Sequence, residues 1–201
     1  MGQGLSGFNV TEEDQLRAQW YALLARLLSA PPNDPVLSLV RGLKGDDSDL
    51  GRSIRTLAAA ARATTRAAVE QEYFNLFIGL GKGELLPFGS YYLSGFLNEK
   101  PLARLRDDMA ELGIARSVEV KEPEDHIASL CEMMSGLITG AFGAPVDLGR
   151  QRRFFDTHIA SWAPRFFEDL QAAESAAFYM PVGAIGSVFM AIESQAFEMA
   201  A

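Results

Sequence analysis

The side chains in this sequence with chemistry to offer are Ser90, His126, His158, Cys131 and a run of carboxylates between Glu119 and Glu132. Ser90 as nucleophile with His126 as its base would make a small-molecule hydrolase. Their context argues against it. Phe88-Gly89-Ser90-Tyr91-Tyr92 lacks the Gly-x-Ser-x-Gly elbow, and no strand leads into it. Asp125 directly precedes His126, and neighbours on a helix diverge by about 100°, which places Asp125 badly for orienting that ring. Cys131, between Leu130 and Glu132 on an apolar stretch, has the setting of a small buried side chain rather than a reactive thiol.

Metal and phosphate chemistry fare no better. Glu122, Asp125, His126 and Glu132 offer ligands, but carboxylate-bridged helical sites need matching Glu-x-x-His motifs on other helices. Two histidines and one cysteine cannot build a His/Cys zinc site. His158, among Phe154, Phe155, Ile159 and Trp162, reads as a core or boundary histidine with a satisfied hydrogen bond. In Gly79-Leu80-Gly81-Lys82-Gly83 no Ser or Thr follows the lysine, so a helix-ending loop is expected rather than a phosphate cradle.

The acidic run is the more telling constellation. Glu119, Glu122, Glu124 and Asp125 against Lys121 leave a net −3 over seven residues, next to the aromatic turn Pro87-Phe88-Gly89-Ser90-Tyr91-Tyr92. Part of that charge complements a helix start. Apolar aromatic surface beside carboxylates is also what a binder of a basic-plus-hydrophobic peptide requires. A net charge of −8 disfavours nucleic acid and anionic lipid, whose binding runs on Lys and Arg.

These residues must be positioned by helices. Thr11 with Asp14 forms a capping pattern ahead of Leu16, Trp20, Leu23, Leu24, Leu27 and Leu28. Pro31 and Pro32 end that helix, and Asp34-Pro35 starts a short one. Residues 49–78 favour helix, with Thr64 and Thr65 dividing the run. Pro101 opens a helix that Gly113 closes, and Pro123 starts another reaching about Phe142. Further helices are expected over 148–161, 164–173 and 176–199, the last with a kink at Pro181. The uncharged stretch from Ser175 to Ile192 carries Pro181, Gly183 and Gly186, which favours a buried helix over a membrane span. Met1-Gly2-Gln3-Gly4-Leu5-Ser6 fits a myristoylation pattern with no second membrane signal behind it. With no period-2 strand run, the fold class is all-α: one globular helical bundle of about eight to ten helices over 1–201. Its N-terminal half (1–113) and C-terminal half (122–201) are joined by a hinge at 114–121.

Three ordered elements, Tyr73-Phe74-Asn75-Leu76-Phe77-Ile78-Gly79, Pro87-Phe88-Gly89-Ser90-Tyr91-Tyr92-Leu93 and Glu122-Pro123-Glu124-Asp125-His126-Ile127, resemble the signatures of the TorD/DmsD family of molybdoenzyme maturation chaperones. Phe155-x-x-His158-x-x-x-Trp162 and Phe178-Tyr179 are similar to that family's C-terminal half. The resemblance implies an all-helical cytoplasmic chaperone with no enzymatic activity, no cofactor and no metal. Its partner would be the catalytic subunit of a molybdopterin oxidoreductase, often held by its twin-arginine leader peptide until the molybdenum cofactor is inserted. It places the peptide-binding surface on Pro87, Phe88, Ser90, Tyr92, Glu122, Pro123, Asp125 and His126. The family often has Trp or Tyr where Phe88 stands. On this reading the Phe88–Tyr92 turn is an apolar wall, and Glu122 and Asp125, three apart on a helix, face the leader's arginines in an acidic cleft. His126 is the group whose charge can switch near neutral pH. The linker would let the halves exchange between chains to give a homodimer. A plain helical scaffold or dimerisation module, by contrast, would bury Phe88 and Tyr92 in its core.

Overall fold

Local signals set the first half of the chain helix by helix. The computed structural model describes residues 10–116 and 121–200. The Met1–Ser6 pattern, Glu119 and the centre of the 114–121 hinge lie outside the described residues. Helix α1 (Glu12–Ser29) starts with the capping box read from sequence: the Thr11 hydroxyl accepts from the Asp14 amide at 3.1 Å while the Thr11 amide donates back to Asp14. Its buried stripe, Ala18, Tyr21, Leu24, Ala25 and Leu28, recurs every three to four residues and packs on α7 (Ile127–Thr139). Asn33 caps α2 (Asp34–Gly42), Ser48 caps α3 (Asp49–Ala63) and Thr65 caps α4 (Arg66–Tyr73), so the two threonines do divide that run.

A π-turn (Phe74–Ile78) continues α4 and ends at Gly79, whose φ is +60°. A Cβ at Gly79 would lie 2.0 Å from the Lys82 carbonyl oxygen, so the return of the chain there requires glycine. Then follow α5 (Gly89–Ser94), α6 (Lys100–Glu111), α7, α8 (Leu148–His158), α9 (Ala163–Ala172) and α10 (Tyr179–Met199). Among the described residues there is no strand, which gives the all-α bundle of ten helices.

Two expectations are corrected. Pro181 does not kink α10: it is the third residue of the helix, where no backbone N–H partner is needed. The helix expected from Pro123 begins instead at Ile127, with His126 as its cap.

The two halves share one buried cluster. Helix α10 packs on α3 and α9, and Gly186 lets it approach α9 so closely that a Cβ there would sit 2.2 Å from the Phe167 ring. A buried ion pair pins α10 to α1: Arg17 grips Glu193 through two hydrogen bonds of 2.7 and 2.8 Å, and Tyr21 donates to the same carboxylate at 3.0 Å. Near its start, the carboxylate of Glu72 on α4 accepts from the amides of Ala177, Phe178 and Tyr179 at 2.7–3.0 Å. Glu84 holds the preceding turn in the same way, accepting from the amides of Glu174 and Ser175. No helix among the described residues is long and apolar enough to cross a membrane.

Candidate functional site

Residues 87–89 and 125–127 lie side by side as a two-residue antiparallel stitch. Phe88 pairs with His126, the Gly89 amide donates to the Asp125 carbonyl at 2.9 Å, and the Ile127 amide donates to the Pro87 carbonyl at 2.9 Å. In extended chain successive side chains point to opposite faces. Phe88 and His126 share one face, their rings edge-on at 5.0 Å, while Gly89, at the start of α5, and Asp125, in the turn before α7, line a different cavity.

The Phe88–His126 face opens on a groove of about 780 Å³. One wall is α1, through Ala22, Ala25, Arg26 and Ser29; another is α7, through Ser129, Glu132, Gly136 and Thr139. Small side chains recur on both, and the Phe142 ring lies directly over Gly136. Tyr73 at the end of α4, with Phe77 and Ile78 of the π-turn, supplies the aromatic end, with Pro87 and Phe88 beside them. The π-turn is tied down by the returning loop, where the Glu84 and Leu85 amides donate to the carbonyls of Asn75 and Leu76. The rings of Tyr73 and Phe77 lie 4.9 Å apart, tilted at 60°, and both meet Tyr179 of α10. Burial, assisted by the charge of Glu122, pushes the Tyr73 hydroxyl up to about 12.

Of the residues expected at the site, Pro87, Phe88, Glu122 and His126 line this groove. Phe88 is 7 % exposed, so it offers the groove little more than an edge. The others lie elsewhere. Tyr92 turns toward α9: its hydroxyl donates to Asp169 at 3.1 Å, and its half-buried ring packs on Trp162 and Phe166. Ser90 is fully buried, and Asp125, 3 % exposed, accepts from the Ser90 amide at 2.6 Å. The Pro123 carbonyl accepts from the His126 amide at 3.1 Å in the turn before α7.

Three readings of these residues change. Glu122 and Asp125 precede the helix and do not share a helical face; the chain there makes a turn, the Pro123 carbonyl accepting from the His126 amide, before His126 pairs with Phe88. His126 is no switch near neutral pH. Its Nδ1 accepts from the Ala128 amide at 3.1 Å as the cap of α7, and burial pulls its pKa down to about 4. The groove is not an acidic cleft, because Arg26 and Lys121 stand against Glu122 and Glu132. Glu124 has left it altogether for Arg106 at 2.8 Å and Arg116 at 3.3 Å; although burial pushes its carboxyl up, those arginines hold it below the ordinary value.

The hydrolase geometry is not formed. The Ser90 hydroxyl is buried without a hydrogen-bond partner, so no Ser–His dyad exists. Cys131 is buried, and burial pushes its thiol up. His158 is the satisfied core histidine expected, with Nε2 2.6 Å from Asp108. Glu132 went unmarked as a groove residue in the sequence, although it carries a usable signal as the one charged side chain in α7.

Residues 43–168 match the model of the nitrate reductase delta subunit family. The chaperone protein TorD of Aliivibrio fischeri is 26 % identical over 205 residues, covering 92 % of this chain and 95 % of that protein. TorD of Photobacterium profundum is 30 % identical over 154 residues, 71 % of this chain and 69 % of that one. A solved structure described as a redox enzyme maturation protein, from Archaeoglobus fulgidus, superposes with a TM-score of 0.56 over 94 % of this chain and 99 % of its own. At 19 % identity that likeness shows a shared fold.

Proposed function

The chain belongs to the nitrate reductase delta subunit family, and from that premise we propose that it is a maturation chaperone, not an enzyme, for the catalytic subunit of a molybdopterin oxidoreductase. It holds the client in the cytoplasm, through the client's twin-arginine leader, while the molybdenum cofactor is inserted. The leader lies in the groove between α1, the π-turn, the Pro87–Phe88 segment and α7. Pro87, Phe88, Glu122 and His126 contact it; Pro123, Ser90, Asp125 and Tyr92 hold the walls.

The observation that carries this reading is the groove's composition: an aromatic end continuous with exposed Ile78, and carboxylates matched by as many cations. Exposed carboxylate–arginine contacts are worth about 1 kcal/mol each, so Glu122 and Glu132 steer two arginines without holding them. Burial of the leader's apolar stretch, at roughly 25 cal/mol per Å², supplies most of the affinity, in a range of about micromolar or tighter.

Calorimetry with a synthetic twin-arginine leader peptide tests this. Ile78→Asp, at an exposed position on the groove wall, should weaken binding at least tenfold with the far-UV circular dichroism unchanged. Shortening the peptide's apolar stretch should weaken it more than replacing both arginines with glutamine. Undiminished affinity in Ile78→Asp overturns the groove assignment.

A further inference from the structure

Gly136 stands in the interior of α7, where alanine would serve the helix better. What the missing side chain allows is visible in the groove. A Cβ at Gly136 would lie 2.3 Å from the ring of Phe142, which rests where that side chain would otherwise be. Both residues line the groove. Phe142 belongs to the turn between α7 and α8 and is 37 % exposed, so its seat covers much of the ring without enclosing it. The turn's hydrogen bonds lie to either side of the ring. The Gly140 and Ala141 amides donate to the Gly136 carbonyl at 2.9 Å, the Gly143 amide to the Gly140 carbonyl at 3.1 Å, and the Val146 amide to the Leu137 carbonyl at 3.0 Å. Residues 141–144 are exposed. A change of side-chain rotamer therefore takes the ring out of the groove and leaves these bonds in place.

We propose that Phe142 stands in for the client: it fills a subsite on Gly136 that takes a phenylalanine-sized side chain of the bound peptide, and the peptide displaces it. That the seat fits a benzyl group is recorded by the ring already in it. The proposal rests on the reading of the groove given above, by which the side chain comes from the leader, and it adds a register. Glu132 lies one turn before Gly136 on the same wall, and side chains so spaced are about 6 Å apart. An extended peptide advances about 3.3 Å per residue and returns to the same side at every second one. The seated side chain is therefore the apolar one two positions from the arginine that Glu132 meets. Because the ring competes with the client, apparent affinity is lowered by the fraction of molecules whose seat is filled. Removing the ring should tighten binding, whereas removing a wall would weaken it.

Calorimetry with a synthetic twin-arginine leader peptide is run on the native chain, Phe142→Ala, Gly136→Ala and the double variant, with melting curves as the folding control. Phe142→Ala should bind the peptide about threefold or more tighter than native. Gly136→Ala puts a methyl group into the seat, so removing the ring in that background should bring no gain. An alanine placed in the peptide two positions from an arginine should cancel the gain, while alanines at its other apolar positions should weaken native and Phe142→Ala alike. Weaker or unchanged binding by Phe142→Ala overturns the proposal, as does a gain that persists with Gly136→Ala. A second probe separates this outcome from the fate of the groove reading. N-acetylphenylalaninamide, followed by amide chemical shifts around residue 136, should saturate Phe142→Ala and leave the native chain and the double variant unchanged. If the leader is ignored by native and variant while this probe fills the seat, the leader reading fails and the subsite stands. If neither the leader nor the probe binds, both fail.

Discussion

Asp125 accepts a hydrogen bond from the amide of Ser90, 35 residues away in sequence, at 2.6 Å. That contact starts α5 and fastens the third signature to the second, so Asp125 acts on the fold before it acts on any ligand. Asp125→Ala should therefore lower stability by about 1–3 kcal/mol, the cost of orphaning a buried donor. Asp125→Asn, which keeps an oxygen for the amide, should recover at least half of that loss. Urea unfolding measures both. An alanine variant as stable as the native chain would show that the bond contributes nothing.

His126 gives a pH signature of stability rather than of binding. Its folded pKa of about 4 lies below the 6.5 of an unperturbed histidine, so as pH falls the unfolded chain takes up the proton first. The stabilisation is complete above pH 6.5 and is lost as pH falls toward 4, a total of about 3 kcal/mol. His126→Asn keeps a capping oxygen and removes the titration. The difference in stability between variant and native should shift across that window and stay flat above it. Leader affinity should not change between pH 7 and 8 on account of this residue.

Glu72 joins the groove wall to the C-terminal helix. With three amides on one carboxylate, Glu72→Ala should cost about 1–2 kcal/mol, at the upper end for a lost helix cap. The loss should be accompanied by weaker leader binding, since Tyr179 braces Tyr73 and Phe77. Glu72→Gln, retaining one acceptor oxygen, should fall between.

Arg17 and Glu193 form a buried pair whose halves are not equivalent to the whole. Arg17→Met alone strands a carboxylate at 1 % exposure and should cost about 3–5 kcal/mol. Arg17→Met with Glu193→Met should recover most of it. A double variant no better than the single one would refute this account.

What could be read from the sequence was what neighbours decide. The Thr11–Asp14 box, the Thr64–Thr65 break and the left-handed Gly113 involve residues within one turn of each other, and each stands where its pattern put it. The start of α7 was misplaced because Pro123 is a good first-turn residue, yet the backbone there is claimed by Pro87 and Gly89 from across the molecule. The π-turn left no pattern in Phe74–Ile78, since its geometry depends on Gly79 and on the loop returning to Asn75 and Leu76. Tyr92 was assigned to the wrong wall for the same reason: its partner, Asp169, is 77 residues distant. The second and third signatures do meet, at Phe88 and His126; the direction of each side chain was a tertiary matter.

Register in the stitch has an evolutionary reading. Adding or deleting a single residue within 87–89 or 125–127 would shift the one pairing of Phe88 with His126 and the helix starts at Gly89 and Ile127 that flank it, so the ring at 88 would lose its place on the groove. Diverging lineages can lengthen loops elsewhere, but these two tripeptides must keep step with each other, and new client preferences have to arise by substitution there rather than by indels.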